Sequence, residues 1–397
     1  MTTPLLSLCE FIVDCEHKTA PTCETGYPSI RTPNVGRGRL ILDGVNCVDE
    51  DTYRYWTKRA VPRPGDLIIA REAPVGNVAI VMSGQTVCLG QRTVLVRPNA
   101  GIVDPQYLTY FMLGSYVQDY FYACSIGATV PHLNMKDIRS LPVPRLPPLD
   151  VQHQIAGILS AYDDLIEVNT RRIAILEEIA RRLFDEWFVA KAPPEDWHRA
   201  CLGDFVEEVR DAILPSDVPP DTPYVGLEHM PRRSTTITTW GRAEEVGSTK
   251  HRFQVNDILF GKIRPYFHKV IIAPVAGVSS SDAIVMRPID EIAGTIAACL
   301  ASSDAFVAHA VQTSNGTKMP RANWSVLRRY EIALPPPNIV QHFAAIVEPS
   351  HRMCSTLAMT NMDLRAARDL LLPKLISGEI DLSGVERGVD AKQVAAE

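Results

Sequence analysis

At 397 residues the chain is long enough for two or three domains, each able to bury its own core. Apolar residues make up 46% and charged residues 22%, an ordinary globular balance, and no apolar run approaches the roughly eighteen residues that cross a bilayer. The net charge of −6 permits nucleic-acid binding without arguing for it, because the surplus acids lie mainly in the segments predicted as helices and the regions between them are near neutral. The N-terminal MTTPLLSLCEFIVDCE lacks a basic stretch before its apolar residues, so a cytoplasmic location is expected. Nine cysteines without a CxxC pair match no zinc pattern and predict reduced, mostly buried thiols.

In chain order, residues 1–145 predict a mixed domain. Leu67–Ala70, Val78–Met82 and Thr93–Val96 are short β-type runs punctuated by turn residues. Tyr107–Tyr122 has helical spacing, with Leu108, Phe111, Met112, Tyr116 and Tyr120 on one face. A loop, SIGATVPHLN (Ser125 to Asn134), leads into a strand-like LPVPRL. From Leu146 to Val189 the chain offers two prolines, Asp150 as an N-cap, and then a long run without proline. Ile155, Ile158, Leu159, Tyr162, Leu165, Ile166, Asn169, Ile173, Leu176, Ile179, Leu183 and Trp187 form its apolar stripe. Ala192-Pro193-Pro194 closes this helix as a stiff linker.

From Cys201 the plan restarts. LCEFI (Leu8 to Ile12) matches LGDFV (Leu202 to Val206), and GDLIIAREAPVGNVAIV (Gly65 to Val81) matches NDILFGKIRPYFHKVII (Asn256 to Ile272). TVLVRP (Thr93 to Pro98) matches AIVMRP (Ala283 to Pro288), SIGATVPHLN matches SNGTKMPRAN (Ser314 to Asn323), and LPPLDVQHQ matches LPPPNIVQH. Five collinear matches indicate a duplicated unit of mixed domain plus long helix. The second helix is predicted over Asn338 to Ile376, with Ile346, Met353, Leu357, Leu364, Ala367 and Leu371 as its stripe, a kink at Pro349, and Pro373 and Gly378 ending it. The polar tail from Ser383 is expected to fray.

Two such helices have an economical solution, which is to pack on each other. The expected seam uses Ile158, Tyr162, Leu165, Asn169, Leu176 and Leu183 of the first with Met353, Leu357, Leu364 and Leu371 of the second. About 36 residues make a helix roughly 54 Å long, and antiparallel pairing would place a mixed domain at either end. Asn169 either fixes register from within the seam or sits at its wet edge.

These residues resemble the DNA specificity (S) subunits of Type I restriction-modification systems. The resemblance covers nearly the whole chain and rests on the repeated loop, proline and Gln-His strings (Gly127 to His153, Gly316 to His342), LFDEWFV (Leu183 to Val189), YVGLEHM (Tyr224 to Met230), FGKIRPYFHK (Phe260 to Lys269) and LLLPKLISGEI (Leu370 to Ile380). It implies an α+β fold with an internal pseudo-twofold repeat: two mixed α/β target-recognition domains, at 1–145 and 193–333, separated by two long helices packed as an antiparallel coiled coil. The helices and linker fall at 146–192 and 334–380, with a flexible tail at 381–397. The resemblance further implies that each domain reads half of a bipartite asymmetric DNA site, that the helices set the spacer, and that the chain is not itself an enzyme. The partners it implies are double-stranded DNA, two methyltransferase subunits carrying S-adenosylmethionine, and two restriction subunits using ATP and Mg2+.

No catalytic or metal residues are predicted: there is no GxxxxGK[ST], no strand followed by GxGxxG, and no [DN]PP[YF]. His153 and His342 sit at helix starts, where capping or packing is expected. Candidate DNA contacts are Arg31, Arg37, Arg39, Arg54, Lys58, Arg59, Arg63, Arg71 and Arg92, interleaved with Tyr53, Tyr55 and Trp56, in the first domain. In the second they are Arg232, Arg233, Arg252, Lys262, Arg264, His268 and Lys269, with Lys318 and Arg321 in the loop. Any single one of these reads more readily as a solvated surface charge, so the clusters are better candidates than their members, and the three aromatics are equally readable as core. Two further readings stay open: a fused or orphan member with methyltransferase or nuclease activity of its own, and a DNA-binding scaffold without a partner.

Overall fold

The computed structural model describes residues 2–125, 131–189, 194, 197–316, 318–380 and 382. The expected linker residues Ala192 and Pro193, part of the first loop, Thr317 and the tail from Ser383 lie outside the described residues. The chain divides into two compact units: Met1–Asp164 with Ala366–Glu397, and Leu165–Arg365. Each holds one mixed domain and a segment of both long helices.

In the first unit, Cys9–Asp14, Thr93–Pro98, Leu67–Ala70, Val78–Ile80 and Gly38–Arg39 form a five-stranded sheet in that order, antiparallel except for the last pair. Leu67, Ile69, Val78, Val94 and Val96 bury one face of it against Pro105–Leu113 and Ser115–Cys124, while Ile68, Ala79 and Leu95 bury the other. The stretch expected as one helix over Tyr107–Tyr122 is therefore two, broken where Gly114 takes an extended ψ of 155° and caps the first by bonding to Tyr110 O.

The second unit repeats the order with Val206–Val209, Ala283–Pro288, Ile258–Gly261 and Val270–Ile272. Helices Glu291–Ala301 and Asp304–Gln312 cover the sheet. The duplication is thus present in the strand order, with one correction to its register. Cys9 pairs with Pro98 and Val206 with Pro288, so the counterpart of Leu202-Gly203-Asp204-Phe205 is Leu5-Leu6-Ser7-Leu8, three residues before the LCEFI match. Leu5 N donates to Leu141 O as Leu202 N does to Tyr330 O.

One buried ion pair recurs in both copies. Arg97 grips Asp66 through Nε and Nη2 at 2.8 and 2.7 Å, and Arg287 grips Asp257 in the same way at 2.9 and 2.7 Å. Each carboxylate also accepts a backbone N–H, from Arg63 and Gln254. Asp66 and Asp257 are 3% and 2% exposed at the side chain, so the arginines meet the cost of burying them.

The first long helix runs Leu149–Phe184 and passes into a wider π-type turn over Asp185–Val189. Asp150 lies in its first turn rather than at its cap. The second runs Pro337–Ser377 as one helix through Pro349 and Pro373, so Pro373 does not end it; Gly378, with φ of 75°, does. No single helix among the described residues is long and apolar enough to cross a membrane.

Within each unit the helix segments run antiparallel. In the first, Ile155, Ala156 and Leu159 share a core with Leu372 and Leu375, and buried Asp163 accepts from Tyr110 Oη at 2.6 Å and pairs with Arg368. In the second, Ile173 packs with Cys354 and Ala358, flanked by Leu176 and Leu357, and Phe188 meets Phe343 edge-on. Ile158 and Leu371 pack against the first core and Leu183 against the second, while Tyr162 and Leu364 are half-buried. Leu165 and Met353, expected in the seam, are 44% and 50% exposed. The second helix presents Val347, Cys354, Ala358, Asn361 and Leu375 inward, one position round from the stripe expected at Ile346 and Met353. Asn169 lies inside the seam, where Nδ2 donates to Asn361 Oδ1 at 3.0 Å.

Candidate nucleic-acid interface

In the second unit the loop Ser314–Asn323 is pinned at its base. Asn315 and Arg321 exchange backbone hydrogen bonds of 3.0 and 2.9 Å, Ala322 N donates to Lys262 O at 2.8 Å, and Arg264 N donates to Pro320 O at 2.8 Å. Gly316, at φ of 96°, supplies the left-handed turn that the loop needs. This hairpin brings Arg321 to Lys262 at the end of strand Ile258–Gly261. Together with Arg210, His251, Asn315 and Asn323 they line a cleft of about 290 Å³, which Glu208 also lines, paired with Arg210 at 2.7 Å. Guanidinium, ammonium and amide groups gathered in one concavity are what phosphate and base-edge contacts require. Burial, helped by neighbouring Lys262, lowers the His251 pKa and keeps the ring neutral near pH 7. Sequence reasoning missed Arg210, His251, Asn315 and Asn323, because only the fold of the loop assembles them.

The other candidates in this unit are dispersed. Arg252 and Lys318 are exposed. Arg232 lies over the Phe267 ring at 4.2 Å, and Arg233 grips Asp304 at 2.6 Å. Lys269 donates to Leu227 O, and burial followed by the nearby Arg232 lowers its pKa. His268 is buried, with Nε2 at 2.7 Å from Ser302 O. Arg264 holds a left-handed φ of 49°, and its Nε is buried with no hydrogen-bond partner among the described residues.

In the first unit most of the expected cations are engaged. Arg39 is largely buried and pairs with Asp164; Arg54 pairs with Glu50 at 2.8 Å. Lys58 reaches Glu16 at 3.3 Å and lies over the Tyr55 ring, and Arg59 pairs with Asp14. Arg71 and Arg92 meet at the root of the matching loop, where Arg71 N donates to Arg92 O, Arg71 Nε to Leu133 O at 2.7 Å, and Arg92 pairs with Glu72 at 2.9 Å. Arg31, Arg37 and Arg63 are exposed, and Arg37 donates to Leu113 O at 3.3 Å. Tyr53 stacks on Tyr27 at 4.1 Å, Tyr55 is exposed and Trp56 half-buried. His153 lies 3.5 Å from the N-cap carboxylate of Asp104, and His342 stacks on Trp187 at 5.8 Å.

The family model "Type I restriction modification DNA specificity domain" matches residues 18–178. The chain is 26% identical over 374 residues to the Type I restriction enzyme MjaIX specificity subunit of Methanocaldococcus jannaschii, covering 86% of this chain and 83% of that one. The chain is similar to Type I restriction enzyme specificity subunits over most of its length. A shorter match to the HindI specificity subunit of Haemophilus influenzae is 35% identical over 98 residues, covering 24% of this chain and 21% of that one. The fold is likewise that of a Type I specificity subunit: the crystal structure of the S subunit from M. genitalium superposes with a TM-score of 0.58 at 16% identity, covering 95% of this chain and 96% of that one. A DNA-recognition role fits this similarity, and the cleft at Lys262 and Arg321 is the candidate site for it.

Proposed function

We propose that this protein is the non-catalytic DNA-reading subunit of a cytoplasmic Type I complex, in which each mixed domain reads one half of a bipartite, asymmetric site. The observation that carries the reading is the duplicated architecture. Two domains of one strand order, each held by the same Asp–Arg pair, are joined to antiparallel segments of the same two helices. Such a repeat suits two readings of DNA at a set separation, and the helices are the elements that set it. Side chains around the two loops differ, Lys262 and Arg321 against Arg71 and His132, which suits unlike half-sites.

The helices also dock two methyltransferase subunits that bring S-adenosylmethionine, and the full complex adds two restriction subunits using ATP and Mg2+. The test is duplex binding by the purified chain, alone and with its cognate methyltransferase subunit. Sequence-specific binding that tightens when that subunit is added is expected; binding indifferent to sequence in both conditions overturns the proposal.

A further inference from the structure

The two copies differ beside the start of the long helices. Asn99 N donates to Leu8 O in the first copy, and Ile289 N to Phe205 O in the second, which makes Asn99 and Ile289 counterparts. The next helix is capped by Asp104 in one and Asp290 in the other. The first copy therefore carries four extra residues, Ala100 to Val103. Val103 is fully buried in the core that includes Leu8, and the following Asp104 N donates to Gln152 Oε1 at 2.9 Å. Gln152 is itself buried, and its Nε2 donates to Pro147 O at 2.8 Å.

The second copy has the matching receptor without the insertion. Phe205, Val340 and Gln341, counterparts of Leu8, Val151 and Gln152, line an open groove of about 600 Å³ with Ile289, Ile292 and Pro336. Ile289 and Ile292 are 60% and 39% exposed. Gln341 is exposed, and its side chain has no hydrogen bond among the described residues. The groove contains Asp204 and Asp290 but no lysine or arginine, which repels a phosphate backbone and suits a polypeptide.

We infer that this groove is a docking site for a loop of the methyltransferase subunit that presents a branched aliphatic side chain followed by a backbone N–H, reproducing Val103 and Asp104 of the first copy. The inference rests on the proposed function, in which that subunit docks on the long helices; the groove adjoins the start of the second helix. The aliphatic side chain fills the space between Phe205 and Val340, and Gln341 Oε1 accepts the N–H.

The test uses the full chain and the purified methyltransferase subunit. A photo-crosslinking benzoylphenylalanine is placed at Ile292, and separately Ala-Gly-Ile-Val is inserted between Ile289 and Asp290 to fill the groove from within. Crosslinks from position 292 to the methyltransferase subunit are expected, with the insertion weakening that association by about tenfold or more, the scale of losing a buried anchor, while DNA binding by the chain alone is unchanged. If the insertion unfolds the second domain, the exposed change Ile292→Asp decides in its place by the same loss. Normal association of the filled variant, or crosslinks that stay within this chain, join two copies of it, or do not form, overturns the inference and leaves the proposed function standing. Absence of any methyltransferase binding to the unaltered chain overturns both.

Discussion

Asp66 and Asp257 are acids that the fold uses for holding, not chemistry. Removing Asp66 strands Arg97, only 15% exposed, against the sheet, so Asp66→Ala is expected to cost about 3 kcal/mol in denaturant unfolding. Asp257→Ala should cost less, because Arg287 is 36% exposed and recovers solvent. His351 gives a pH signature. Burial lowers its pKa to about 4, opposed by Glu348. The unfolded imidazole titrates near 6.5, so this contribution is fully present above that pH and is lost as pH falls from about 6.5 to 4. The ring retains some surface, which makes about 3 kcal/mol an upper bound. His351→Leu should flatten the stability profile across that window; an unchanged slope would assign the loss elsewhere. Both strings holding Asp66–Arg97 and Asp257–Arg287 were visible as a repeat in the sequence, yet their pairing was not, since it depends on strands about thirty residues apart being neighbours.

Among the elements, the first long helix was legible from its apolar periodicity and the second only in outline. Its inward face carries Cys354, Asn361 and Arg368 beside the expected Leu357 and Leu371, while the expected Ile346 and Met353 face out, so residue type alone selects the stripe only in part. The polar members are satisfied by partners that only the pairing reveals. Asn361 Nδ2 lies 3.3 Å from both Ile166 O and Thr170 Oγ1, and its Oδ1 accepts from Asn169. Asn361→Ala leaves the Asn169 amide buried without that acceptor and should cost about 1–3 kcal/mol in thermal or denaturant unfolding. Replacing both by leucine should recover or exceed the original stability while loosening register, read as added heterogeneity in crosslinks between the two helices. Glu177 was also hidden: one carboxylate oxygen accepts from Ser234, Thr235 and Thr236 at 2.7–3.1 Å, tying the second mixed domain to the first helix. Nothing in its local spacing distinguishes it from a solvated charge.

For the whole molecule, the repeat was the strongest signal in the sequence, and it carried the fold class and the family resemblance. The candidate DNA contacts were not legible one by one, because most cations of the first domain answer local acids and the cleft of the second is assembled by a loop. If the helices set the spacer, matched seven-residue insertions in both should lengthen it by about 10 Å, or about three base pairs, while leaving the half-sites intact. A changed half-site would mean that the helices do not act as spacers. The most direct measurement is methylome sequencing of the source organism with and without this gene. The account predicts that one split, asymmetric methylation motif disappears with the gene and returns on complementation. An unchanged methylome in cells whose cognate methyltransferase is active would contradict it.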